Sequence, residues 1–159
     1  RLAARYKRPS EVQLAARSLL GELVEVRTAD IFDTGLHEFL TDFKRKVAEL
    51  EVDLTALEFT ELRGLAGANA GKGPGPESSL LKIKGSEIQQ RLTELTLEAV
   101  GHYGAPYFRG FGEGDNEHPI GPDYAHRAAP TYFNTRKTTI YGGSNEIQRN
   151  IIAKMVLGR

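Results

Sequence analysis

Leu36, Leu40, Phe43, Val47, Leu50, Leu54 and Leu57 recur at alternating steps of four and three, and no other pattern in the chain restricts its fold so tightly. Such an a/d stripe places seven apolar side chains on one line of an α-helix. Between them stand Glu38, Asp42, Lys44, Arg45, Lys46, Glu49, Glu51 and Asp53, which predicts a solvated opposite face. From Leu36 to Leu65 the helix would be about 45 Å long. An element of that length buries its stripe only against other long elements, so helices are expected on either side.

The flanking sequence supplies them. After Pro9, Ser10 and Gln13 form a capping box, and "EVQLAARSLLGELVEVRTADIF" reads as a helix running into Phe32. Downstream, "AGANAGKGPGPESS" reads as a Gly/Pro linker that ends the long helix, with Pro76 near the first turn of the next. That next helix carries Leu81, Ile88, Leu92, Leu95 and Ala99 on one stripe and stops near Gly101 and Gly104. "APYFRGFGEGDNEHPIGPD" is a long loop, of a length often tied to function. "YAHRAAPTYFNTR" predicts a short helical piece interrupted by Pro130, "KTTIYGG" an extended segment, and Ser144 the N-cap of a last helix with Glu146 near its positive end. No segment alternates apolar and polar residues long enough for a sheet. The expected fold is all-α, an antiparallel helical bundle.

Composition excludes several function classes. The 159 residues have the length of one domain, and 40% are hydrophobic, enough for a real core. Lys plus Arg and Asp plus Glu are 21 each, so the basic field that nucleic acid requires is missing and no nucleic-acid partner is expected. The chain has no Cys, hence no disulfide and no thiol chemistry, and no apolar run approaches the roughly 18 residues of a membrane span. A soluble, cytoplasmic protein without a membrane partner is expected. The chain opens at Arg1 rather than Met, which reads as a piece of something longer.

Several local patterns do not carry chemistry. "GANAGKG" has a Gly-Lys core but lacks the phosphate-loop spacing, has no Ser or Thr after Lys72, and follows a helix rather than a strand. Asp115, Glu117, His118 and His126 lack the helical spacing of a metal site, so no metal is expected. His37 and His102 are single, and the basic opening Arg1, Arg5, Lys7 and Arg8 reads as a solvated segment. Paired-carboxylate catalysis needs two groups converging on one pocket, whereas the acidic residues of the long helix punctuate its solvent face.

The remaining feature is "TIYGGSNEIQRNIIAKMVLG", where a Gly-Gly turn leads into a helix start whose free amides suit a polar or negative ligand. This run closely resembles the C-terminal signature of the acyl-CoA dehydrogenase family. "EFTELR", "GPESSLLKIKGSEIQQRLTEL" and "LEAVGHYG" agree with that family's C-terminal α-bundle domain, so residues 1–159 are read as one such domain of a longer chain. The resemblance implies a flavin enzyme, with FAD as cofactor, that oxidises an acyl-CoA thioester to the 2,3-enoyl-CoA. It also implies a homo- or hetero-tetramer.

Residue by residue, the resemblance implies that Tyr141 and Gly142 line the substrate, with the Gly142 N–H donating to the thioester carbonyl. Gly143, Ser144, Asn145 and Glu146 lie along the flavin cofactor. Glu98 and Gly101 match the run that reaches the cofactor of a neighbouring subunit, although Glu98 replaces a neutral amide and His102 a glycine. Many members carry the catalytic Glu directly after the motif's Tyr; here that position is Gly142, which cannot take a proton. Some members place the base on the first helix of this domain, so the resemblance implies a base upstream, at or just before Arg1; Glu11 and Glu22 lie on the first predicted helix, but neither has a local pattern marking it. The alternatives are a catalytically silent subunit that supplies half a flavin site, and an acyl-CoA oxidase-like relative.

Overall fold

The structure, a computed structural model, describes residues 34–73, 75–106, 121–122 and 124–158, with side chains from residue 41 onward. The predicted first helix, with Ser10, Glu11, Gln13 and Glu22, lies outside the described residues, as do Asp115, Glu117, His118 and the side chains of Leu36, His37 and Leu40.

Among the described residues four α-helices follow one another: α1 (Thr34–Asn69), α2 (Glu77–Val100), α3 (Ala128–Thr135) and α4 (Asn145–Leu157), with short 3-10 turns at Gly101–Gly104, Ala125–Arg127 and Arg136–Thr139. The all-α expectation holds, and no strand occurs among the described residues. The heptad stripe is the reason α1 forms and the surface it buries. Phe43, Val47, Leu50 and Leu54 pack into one cluster with Ile88, Leu95 and Ala99 of α2, with Leu57 and Leu92 at its edge. Burial of each large side chain contributes about 1.5–3 kcal/mol. The two helices run antiparallel: Lys46, early in α1, pairs at 2.8 Å with Glu98, late in α2.

Three local expectations give way to tertiary structure. The residues expected to open the linker continue α1 as far as Asn69. Ala66 and Ala68 favour helix strongly enough to carry the one glycine between them. The helix stops at Gly71, whose φ of 77° is the left-handed conformation that glycine adopts without strain. The Gly71 N–H reaches Ala68 O and the Lys72 N–H reaches Gly67 O, each at 3.0 Å, which is the Schellman arrangement of a helix end. Pro130 does not interrupt α3, because it falls in the first turn, where its missing N–H has no intrahelical partner to lose.

The third correction concerns "KTTIYGG", which is not extended: Arg136–Thr139 coil into a 3-10 turn, and the N–H groups of Ile140 and Tyr141 both reach Lys137 O. The cause is Arg136. Its guanidinium lies 2.8 Å from Glu94, donates to Gln90 O at 2.8 Å and Thr93 Oγ1 at 3.3 Å, and stacks 4.3 Å from the Tyr132 ring centre. Gln90 returns a bond to Arg136 O at 3.0 Å. These contacts pin the segment to α2 and override the β preference of Thr138 and Thr139.

α2 is thus the hub: α1 packs on one side of it, α3 and α4 on the other. α4 meets its N-terminal half, through Lys82 and Asn145, while the segment after α3 meets its C-terminal half, through Glu94 and Arg136.

Candidate functional site

The Gly142-Gly143 turn is built from both of its arms. Ser144 caps α4 as expected, its hydroxyl accepting the Ile147 N–H at 3.5 Å, and Gln148 N–H bonds Ser144 O at 3.0 Å. Gly142 and Gly143 have φ of 69° and 86°, so the chain reverses through two left-handed residues, a path open without strain only to glycine. A Cβ at Gly143 would stand 2.8 Å from Gln148 Nε2, whereas one at Gly142 would meet nothing within 4 Å. Among the described residues, neither glycine amide has a hydrogen-bond acceptor, and both residues are exposed. Two free donors therefore lie just ahead of the positive end of a 13-residue helix.

Tyr141, half exposed, adjoins them. The Glu146 carboxylate accepts from its own backbone N–H and from the Ser144 hydroxyl, and these bonds hold it below the usual carboxylate range. Glu146 is thereby engaged in the cap. Asn145 is buried, 5% exposed, and its Oδ1 accepts from Lys82 Nζ at 2.7 Å.

Glu98 and Gly101 lie elsewhere. Gly101 closes α2, and Glu98 stands sixteen positions along that helix from Lys82, a separation of about 24 Å. Within one chain, therefore, the two expected sets of cofactor residues are not brought together. Glu98 is not an uncompensated charge. Lys46 bonds it at 2.8 Å and also bonds Asp42 at 2.8 Å, and these two carboxylates, Asp42 foremost, hold the Lys46 ammonium above its usual range. The adjoining His102 is exposed. Gly101 also lines an open, mainly apolar cavity of about 800 Å³ with Leu97, Gly104, Pro106, Pro130 and Phe133.

Of Asp115, Glu117, His118 and His126 only His126 lies among the described residues, and its Nε2 accepts from Arg127 Nε at 3.1 Å. No group of three or more His, Asp or Glu suited to a metal occurs among the described residues. Nor is any described helix long and apolar enough to cross a membrane.

Sequence reasoning missed Lys82 and Arg136, which position the turn and the segment leading to it. The available signal was the run of small polar residues on α2, since Ser79, Ser86 and Thr93 are buried there. Small hydroxyls on an inward face mark where a polar segment docks.

The sequence profile described as "Acyl-CoA dehydrogenase, C-terminal domain" matches residues 12–157. A stretch of 27 residues is 78% identical to "Acyl-CoA dehydrogenase IpdE1" of Mycobacterium tuberculosis, and an equal stretch is 74% identical to the protein of that name from Mycolicibacterium smegmatis. In each case the stretch is 17% of this chain and 7% of the relative.

Proposed function

The chain belongs to the acyl-CoA dehydrogenase family, and we propose that it is the C-terminal domain of a flavin-dependent enzyme oxidising an acyl-CoA thioester to the 2,3-enoyl-CoA. The observation that carries this reading is the free Gly142 N–H on an exposed turn at the positive end of α4. A thioester carbonyl bound there receives a hydrogen bond that strengthens as the α-proton leaves and negative charge develops on its oxygen. Tyr141 lines the same side. Gly142 cannot take the proton, so a carboxylate outside the described residues acts as base.

The β-hydrogen departs as hydride, chemistry that FAD supplies when bound. The turn fits that cofactor: the Gly143 amide is free, and backbone at Ser144, Asn145 and Glu146 is held in one helical cap. At the far end of α2, Gly101 presents an exposed backbone edge, and the Lys46 pairing offsets the Glu98 charge that a pyrophosphate would otherwise meet. The separation between these two places supports a site completed by a second subunit. Glu98 and Gly101 then serve one cofactor and residues 143–146 another, in a homo- or hetero-tetramer.

Gly142 also supports a second reading, a catalytically silent subunit that holds cofactor and substrate for a partner. Anaerobic mixing of the complete protein with a panel of acyl-CoA thioesters, followed at the oxidised flavin band, separates the two. Bleaching by any thioester supports the dehydrogenase. No bleaching, with dithionite still reducing the flavin, supports the silent subunit.

A further inference from the structure

We infer that Lys82 is a positioning residue that sets the geometry of the Gly142-Gly143 turn, an inference that rests on the turn being where the thioester carbonyl is held. A Gly-Gly backbone has no stiffness of its own. An amide that stabilises developing charge is effective only if held within about 0.5 Å of its working place, so rigidity must enter from the two arms of the turn. Both arms converge on one nitrogen. Lys82 Nζ donates to Asn145 Oδ1 at 2.7 Å, on the arm after the turn, and to Thr139 O at 3.3 Å, on the arm before it.

No other described contact bridges the two arms in this way. Gln148 Nε2 donates to Gly142 O at 3.3 Å, but it pins the turn only to its own helix. Ser86 Oγ lies 3.3 Å from Asn145 Oδ1 and 2.8 Å from Ile83 O. A hydroxyl has a single proton, and the shorter contact to Ile83 O takes it. Asn145 Oδ1, nearly fully buried, thus depends on Lys82 for its donor. The ammonium lies beside the first turn of α4 and adds positive charge where the helix is already positive. It therefore favours negative charge developing at the turn.

The test compares Lys82→Met and Lys82→Arg in the complete, flavin-loaded protein. The first readout is amide hydrogen exchange at Ile140 and Tyr141, which bond Lys137 O, and at Ile147 and Gln148, which bond Ser144. In Lys82→Met these four amides are expected to exchange at least tenfold faster, while amides of Leu50, Leu54 and Leu95 in the core stay within twofold. The second readout is turnover: kcat is expected to fall at least tenfold with KM changed less than threefold, because the contact matters most in the transition state. Lys82→Arg, which keeps the charge and the donors, is expected to restore both within threefold. Unchanged exchange at the four amides overturns the inference, as does acceleration that includes the core, which marks a general structural role. Wild-type protein that bleaches with no thioester, together with the four-amide response, overturns the proposed reaction and leaves the positioning role standing.

Discussion

Replacing Gly142 by Glu puts a carboxylate where many members of the family carry their base, and the structure fixes what this does to stability. A Cβ at this position meets nothing within 4 Å, so no neighbour has to move. The cost is local: φ is 69°, and an L side chain in the left-handed region costs about 1–2 kcal/mol. Two effects oppose it. Removing a glycine restricts the unfolded chain and returns about 0.4–1 kcal/mol, and a carboxylate near a helix N-terminus contributes about 0.3–1 kcal/mol. The net change lies between a gain of about 1 kcal/mol and a loss of about 1.3 kcal/mol, a drop in Tm of at most about 5 °C for a protein of this size. Thermal unfolding followed by circular dichroism measures it. A loss above about 3 kcal/mol refutes the reasoning, because the side chain must then meet something or the turn must have another shape. Gly143→Ala is the internal control. There φ is 86° and the Cβ would displace Gln148 Nε2, which bonds Gly142 O at 3.3 Å, so a further loss of about 0.5–1.5 kcal/mol is expected. Gly142→Ala costing more than Gly143→Ala sinks the same argument. Turnover of the Gly142→Glu variant, measured as thioester-driven flavin bleaching, is expected to stay within tenfold of wild type. Activity found only in the variant refutes a base outside the described residues.

Arg136→Met removes one ion pair, two further hydrogen bonds and the stack on Tyr132; with the side chain one-third exposed, a loss of about 2–4 kcal/mol is expected in urea unfolding, and a loss below about 1 kcal/mol removes Arg136 as the cause of the 3-10 turn. Leu95→Ala empties a fully buried position and is expected to cost about 2–5 kcal/mol, whereas Leu62→Ala, at a position 53% exposed on α1, is expected to stay within about 1 kcal/mol in the same assay unless a partner covers that face. Burial pushes the Glu94 carboxyl up, but hydrogen bonds from Arg136 and Arg91 outweigh it and leave it below its usual value near 4.5. A depressed carboxylate stabilises the fold above that value and ceases to as pH falls through the folded one. Stability is therefore expected to be level from about pH 7 to 5.5 and to decline below about pH 4.5, and Glu94→Gln is expected to flatten this decline; an unaltered acid limb in the variant contradicts the assignment.

The part of the fold that could be read from the residues is the part governed by period and by end signals. The stripe from Phe43 to Leu57 and the Ser144 cap each depend on neighbours within a turn or two of helix and occur as expected, as do Ile88, Leu92, Leu95 and Ala99 of the α2 stripe; Leu81 stands outside that cluster. Errors arose where a distant group decides. Thr138 and Thr139 favour extended backbone locally, yet Arg136, bound to Glu94 and Gln90, coils them. Pro130 reads as an interruption until the helix start is known to lie two residues before it. The signature "YGGSNEIQR" located the turn, but Lys82 is 57 residues from Thr139 and 63 from Asn145, and nothing in either stretch announces the other.

The sequence by itself determined that the chain is helical, where the long helices run, where α4 begins and which family it joins, because apolar period, capping and a contiguous motif are local properties. Only the tertiary structure decided that Glu98 is paired with Lys46, that the turn docks at Lys82, about 24 Å along α2 from Glu98, and that this one lysine holds both arms of the turn. Distance and burial are set by the packing of helices remote in the chain, and a side chain's partner depends on that packing rather than on its own neighbours in sequence.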